Sequence, residues 1–227
     1  MQLSDNTLSV LKNFSSINPN LVFKQGNQLK TISVAKNILA TATISETIPQ
    51  DFGIYDLNEF LSVVGLFDSP SLIFTDKSVK IKEGEQTLNY YFSPLENLTS
   101  PSKDITMPQC EIEFTLTDSD LSKLRRAAST LGVSEVSVCN DESGSGIVVK
   151  VSDTKSATSN TFELYINSGD VVRPDHQFQM VFTIGNFKFA QGDYRVKLSS
   201  KLISNFKHVG GDLEYWVALE KSSVFNA

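Results

Sequence analysis

The feature that most constrains this chain is a rhythm. Four short stretches have helical periodicity, each is followed by several period-2 segments, and the last three are each introduced by a short apolar run. The first stretch runs from Asp5 to about Ile17, with Ser4 or Asp5 as N-cap, Leu8, Leu11 and Phe14 apolar, and Pro19 as its stop. In "YDLNEFLSVVGLF", Asp56 can cap and Leu57, Phe60, Leu61 and Val64 form a stripe. The third, "DLSKLRRAASTLG", places Leu121, Leu124, Ala128 and Leu131 on one face and ends at Gly132. The fourth, "IGNFKFAQG", has room for only a turn or two.

Strand-like runs fill the intervals: 21–24, 29–35, 38–44 and 52–55, then 71–75, 79–82 and 87–92. Residues 110–116 lead into the third helix, followed by 135–139, 147–151 and 161–166; 179–183 lead into the fourth, followed by 194–198, 202–207 and 214–219. "KQGNQ", "KEGEQ", "ESGSG" and "VGGD" supply turn chemistry between them. The helices begin near residues 5, 56, 118 and 184, so the chain reads as a fourfold structural repeat of strand, helix and three strands, its first leading strand short or missing. An α+β fold of two similar domains follows. "SPLENLTSPSKDITMPQ", with Pro94, Pro101 and Pro108 and no periodicity, is the boundary, giving domains at 1–92 and 109–227 and a connector at 93–108.

The third helix poses a question of charge. Ser119, Lys123, Arg126 and Thr130 form a second stripe, and Lys123, Arg125 and Arg126 fall within four positions, although the formal net charge is -6. A solvated surface helix is the plain explanation. The composition, 40% hydrophobic and 20% charged, is that of an ordinary soluble globular protein. No apolar run approaches the roughly 20 residues of a membrane-spanning helix, and "MQLSDNTLSVLKNF" has no signal-peptide pattern. Cys110 and Cys139 lie in strand-like runs, where reduced, buried thiols are expected. That fits a cytoplasmic protein, in which the sequons at Asn13 and Asn97 carry no meaning.

Catalytic chemistry is missing from the sequence. His176 and His208 belong to no cluster with metal-ligand spacing, and His176 beside Asp175 reads as a surface residue. No helix follows the "GSG" at 144–146, so it is no phosphate cradle. "NDESG" lacks the ligand pattern of a calcium loop. Asp118 and Asp120 stand at a helix start, where capping and the helix dipole account for them. No catalytic residue, metal or cofactor is expected, and the phenylalanines at 14, 60, 92, 114, 162, 182 and 206 read as core.

In register with this plan, "VLKNFSSIN" near the start, "IYDLNEFL" in the second helix and "YWVALE" in the last strand resemble the DNA sliding clamps of T-even-like bacteriophages. The resemblance spans essentially the whole chain and implies the DNA clamp fold: a ring of three identical subunits, helices lining a central hole for duplex DNA and sheets outside. An acidic ring can still carry a basic lining, because the field is local to the pore. On this reading Lys12, Lys123, Arg126 and Lys188 face DNA, with Arg125 nearer the buried stripe, while the second helix carries Asp56 and Glu59 and no cation. The implied partners are duplex DNA, a replicative DNA polymerase and a clamp loader, in the cytoplasm of the infected host. Leu95 and Leu98 in the connector, with Val224 and Phe225 at the chain end, are candidates for receiving a partner's C-terminal peptide, although Val224 and Phe225 could equally pack under the last strand. The edges at 87–92 and 161–166 are expected to pair between copies. A structural virion protein built from the same sheets, and a hydrolase or ligand-binding protein with an unrecognised site, are the rival readings.

Overall fold

A computed structural model describes residues 1–141, 146–156, 158–166 and 177–226. It divides into two compact units, Met1–Asp104 and Ile105–Ala227.

In the first unit, α1 (Asp5–Ile17) buries Val10, Leu11, Phe14 and Ile17 on one stripe. Its N-cap Ser4 accepts from the Thr7 amide at 3.3 Å, and its end is set by the extended Asn18 ahead of Pro19. Three strands follow, β1 (Leu21–Phe23), β2 (Gly26–Ile32) and β3 (Ile38–Ile48), then β4 (Phe52–Ile54), α2 (Leu57–Val64), β5 (Ser71–Phe74), β6 (Ser78–Glu83) and β7 (Gln86–Tyr91). The β6–β7 hairpin closes through Gly84, whose φ of 54° is cheap only for glycine at that position. Here β5, β6 and β7 form a three-stranded antiparallel sheet, β2 pairs β3, and β1 pairs β4.

The second unit repeats the plan with its leading strand complete: β8 (Ile112–Leu116), α3 (Asp118–Leu131), β9 (Glu135–Asn140), β10 (Ile147–Val151) and β11 (Phe162–Ile166). Then come β12 (Gln177–Thr183), a single 3-10 turn at Ile184–Asn186, β13 (Tyr194–Ser199), β14 (Ile203–His208), β15 (Leu213–Ala218) and β16 (Val224–Asn226). The leading strands are exchanged between the halves: β8 joins β13, β14 and β15, whereas β12 joins β9. The β4–β1 pair is the same exchange in the first unit. There the missing leading strand has a one-residue counterpart. Met1 donates its terminal ammonium to the Leu72 carbonyl at 3.0 Å and accepts the Leu72 amide at 2.7 Å, the position relative to β5 that β8 holds relative to β13.

The fourth helical stretch reduces to that one 3-10 turn because Phe187 and Phe189 are both buried. A two-residue spacing cannot place both on one helical face. They pack instead into an aromatic cluster with Phe206, Tyr194 and Tyr215, the Phe189 ring lying 4.5 Å from Phe206 and 4.9 Å from Tyr215. Phe14, Phe60, Phe114, Phe182 and Phe206 are core, whereas Phe92 and Phe162 are only half-buried. The segments "NDESG", "GSG" and "ESGSG" fall mostly, and Asp175 and His176 wholly, outside the described residues.

Candidate nucleic-acid interface

The sequence itself fixes the start and end of α3. Thr117 and Asp120 form a reciprocal capping box, and Gly132 takes the left-handed conformation at φ 65° that closes the last turn. Leu121, Leu124 and Ala128 are buried, which leaves Lys123 and Arg126, three residues apart, exposed together on one face. Lys123 keeps 51% of its side chain exposed and lies 3.9 Å from Asp120, an ion pair too wet to neutralise it. Both cations border a shallow hollow with Thr130, Thr161 and Phe162.

Arg125 leaves the expected DNA-facing group. Its Nη2 donates to the Phe187 carbonyl at 2.6 Å and the Phe189 carbonyl at 3.4 Å, so the guanidinium points across α3 into the second half of its own unit. Those carbonyls flank Lys188, which is exposed. Arg125 therefore positions the strap that carries Lys188 rather than offering its charge outward. Lys12 is exposed on α1. On α2 the exposed polar groups are acidic or neutral: Asp56 caps the helix by accepting from the Asn58 and Glu59 amides at 3.0 and 3.1 Å. Glu59 accepts the Tyr90 hydroxyl at 2.9 Å. Burial, then the Glu59 carboxylate, pushes the Tyr90 phenol well above its ordinary range.

The connector leucines find cover within their own unit. Leu95 opens a 3-10 turn, Leu95–Asn97, and Leu98 follows it. A β-carbon added at Gly53 of β4 would meet Leu98 Cδ1 at 2.4 Å and Leu95 Cδ2 at 3.2 Å, so both side chains close over a backbone that only glycine leaves open. Leu98 is half-buried there and Leu95 stays 38% exposed. A glycine inside the apolar run "DFGIY" was the sequence signal for this close approach. Val224 and Phe225 are not a loose tail: they form β16 and pair with Gln179 and Phe178 of β12. The 45% exposure of Val224 is that of an edge strand. His208 accepts the Gly210 amide at Nδ1, 3.0 Å, in a turn.

Among known proteins, the family model described as DNA polymerase processivity factor matches residues 4–102, and that described as gp45 sliding clamp, C terminal, matches residues 113–221. The sliding clamp of Vibrio phage KVP40 is 31% identical over 224 residues, covering 97% of this chain and 99% of that one. This chain belongs to the sliding-clamp family. The sliding clamps of Escherichia phage RB69 and Enterobacteria phage T4 are 29% and 27% identical, each over 98% of both chains. None of these three is named as a virion component. Solved structures give the same fold at much lower identity. The clamp PCNA of A. fulgidus, bound to the C-terminal region of FEN-1, superposes with a TM-score of 0.72 at 13% identity, covering 99% of this chain and 100% of that one. PCNA of Thermococcus kodakaraensis gives 0.71 at 12% identity, covering 97% and 99%.

The α+β clamp fold is thus established, and with it the protein's class: a DNA sliding clamp that serves polymerase processivity as a non-enzymatic accessory. The exposed cations of α3 stand on a chain whose overall formal charge is -6. Interactions between exposed charges decay over about 8 Å at physiological ionic strength, so a basic helix face and acidic groups farther away act separately.

Proposed function

We propose that this clamp closes as a homotrimeric ring around duplex DNA, is placed there by a clamp loader in the cytoplasm of the infected host, and tethers the replicative polymerase. The observation that carries the ring is an edge strand in each unit, β7 and β11, with no strand on its outer side among the described residues. Among the described residues, β7 pairs only with β6 and β11 only with β10. β7 contains no Lys, Arg or Pro, and the one charge on β11, Glu163, is paired with Lys150 at 2.7 Å. Such edges, bearing a Tyr91 that is 72% exposed and a Tyr165 that is 59% exposed, invite strand addition. A heterologous edge-to-edge contact must either close into a ring or grow into a filament.

In the ring, Lys12, Lys123, Arg126 and Lys188 supply the long-range attraction to phosphate, and Arg125 holds the strap beneath Lys188. The lining is sparse, as sliding requires, because tight phosphate contacts would arrest it. Tethering makes each re-engagement of the polymerase intramolecular. A short apolar peptide from a partner is received beside Leu95 of the connector, the leucine left most exposed over Gly53. Light scattering on the full chain tests the ring: three masses of 25.1 kDa are expected at micromolar concentration, and a stable dimer would remove the reading.

A further inference from the structure

β7 and β11, each paired on one side only among the described residues, differ in the charge that stands beside them. Glu59 of α2 is tied to β7 through the Tyr90 hydroxyl at 2.9 Å, and Tyr90 also donates to the Asp56 carbonyl at 3.3 Å. The N-terminal, acidic end of α2 therefore lies against the C-terminal end of β7. At the other edge, Lys123 and Arg126 share their hollow with Thr161 and Phe162, at the start of β11. Phe162, whose sequence context reads as core, is only half-buried there.

Resting on the ring proposed above, we infer that its seam is keyed by charge: Glu59 of one copy faces Lys123 and Arg126 of the next, across β7 and β11 paired antiparallel with Tyr90 opposite Phe162. Antiparallel pairing brings the Tyr90 end of β7 to the Phe162 end of β11. Parallel pairing would shift Glu59 along the seam by about four residues, roughly 14 Å at the rise of a strand, which is beyond a screening length of about 8 Å. The pleat agrees. Leu88 and Tyr90 are the half-buried residues of β7, on the side of α2, and Phe162 faces α3, so Tyr90 with Phe162 and Leu88 with Leu164 keep both helices on one face of the joined sheet. The nearby like and opposing charges leave the couple intact. Lys80 and Lys82 stand opposite Asn89 and Thr87, on the other face, and Asp120 meets Lys123 only at 3.9 Å. Asp56 adds to the acidic side but is held as the α2 cap.

Such a couple gives the seam polarity. It favours β7 against β11 over either edge against itself, because self-pairing would bring like-charged helices together.

Trimer mass against concentration, measured without DNA, tests the couple in a readout that phosphate contact cannot move. Glu59→Lys and Arg126→Glu should each raise the concentration of half-dissociation about tenfold or more at low salt, with the difference shrinking as salt rises. The combined Glu59→Lys/Arg126→Glu chain should recover most of the loss. Glu59→Gln, which can still accept the Tyr90 hydrogen bond, should weaken the trimer less than Glu59→Lys. A wild-type trimer whose single variants dissociate at the wild-type concentration overturns the couple and leaves the ring standing, as does a combined variant no better than the singles. A wild-type chain that is a monomer at every concentration removes the ring, and the couple with it.

Discussion

α3 and residues 184–190 occupy the same place in the repeat and are built in opposite ways. Each follows the leading strand of a half and precedes three strands. α3 is self-contained: 14 residues, a local capping box and a glycine stop. The other segment is one 3-10 turn and a strap fastened from outside. Tyr215 Oη accepts the Ala190 amide at 3.0 Å, Tyr194 Oη donates to the Ala190 carbonyl at 2.7 Å, and Arg125 reaches from α3 to the Phe187 carbonyl at 2.6 Å. The position in the fold repeats although the local structure does not, so tertiary packing can substitute for helical propensity there.

Breaking the strap should cost most at its aromatic anchor. Phe189→Ala removes a ring that is 6% exposed and packed against four others, with an expected loss of about 3–5 kcal/mol in denaturant unfolding. A loss under about 1 kcal/mol would mean the strap is not fixed by that cluster. Next in size is Arg125→Leu, which leaves two carbonyls without their cationic donor, an expected cost of about 1.5–3 kcal/mol. Hydrogen exchange should quicken at 187–190 and hold steady through the middle of α3. Arg125→Lys should restore little, since one ammonium cannot reproduce the guanidinium fork.

The difference between the two segments also marks how far the sequence could be read. The ends of α1, α2 and α3 were legible because Ser4, Asp56, Thr117 and Gly132 act on residues within a few positions of themselves. Lys123 and Arg126 were legible as one exposed face for the same reason. Arg125 was not, because its acceptor lies 62 residues away and nothing local distinguishes its guanidinium from its neighbour's. Of the turn or two that "IGNFKFAQG" has room for, the structure keeps one 3-10 turn, and the Phe187–Phe189 alternation is the visible reason it goes no further. For Val224 and Phe225, expected either to receive a partner's peptide or to pack under the last strand, the pairing partner is β12, which nothing local in the sequence names.

A smaller effect separates the helix that caps itself from the strap that does not. Thr117→Ala should fray the first turn of α3 at a cost of about 1 kcal/mol, with faster exchange at the first α3 amides and none of the change at 187–190 that Arg125→Leu produces. Faster exchange in both places would show that the helix and the strap share one stability.

The smallest effect concerns α1, whose N-terminus is locally capped like that of α3 but also leans on a distant group. Glu46 of β3 accepts the Ser4 amide and the Thr7 hydroxyl, each at 2.5 Å, where α3 uses its own Asp120. Burial alone would raise the Glu46 carboxyl, but the hydrogen bonds from Thr7 and Ser4 outweigh it and hold the group at about 2, against an ordinary 4.5. A carboxyl depressed by folding stabilises the charged state, so its contribution is complete above the unfolded value and fades as pH falls through the folded one. The stability difference between wild type and Glu46→Gln should therefore be full near neutral pH and shrink from about pH 4.5 toward 2. Its size is modest because the carboxyl remains partly in water. Thr117→Ala, measured over the same range, should show no narrowing tied to Glu46. Unfolding curves of the two variants at pH 7, 4 and 2.5 make the comparison, and a Glu46→Gln difference that is flat across them would mean that shape, not charge, is what Glu46 gives the start of α1.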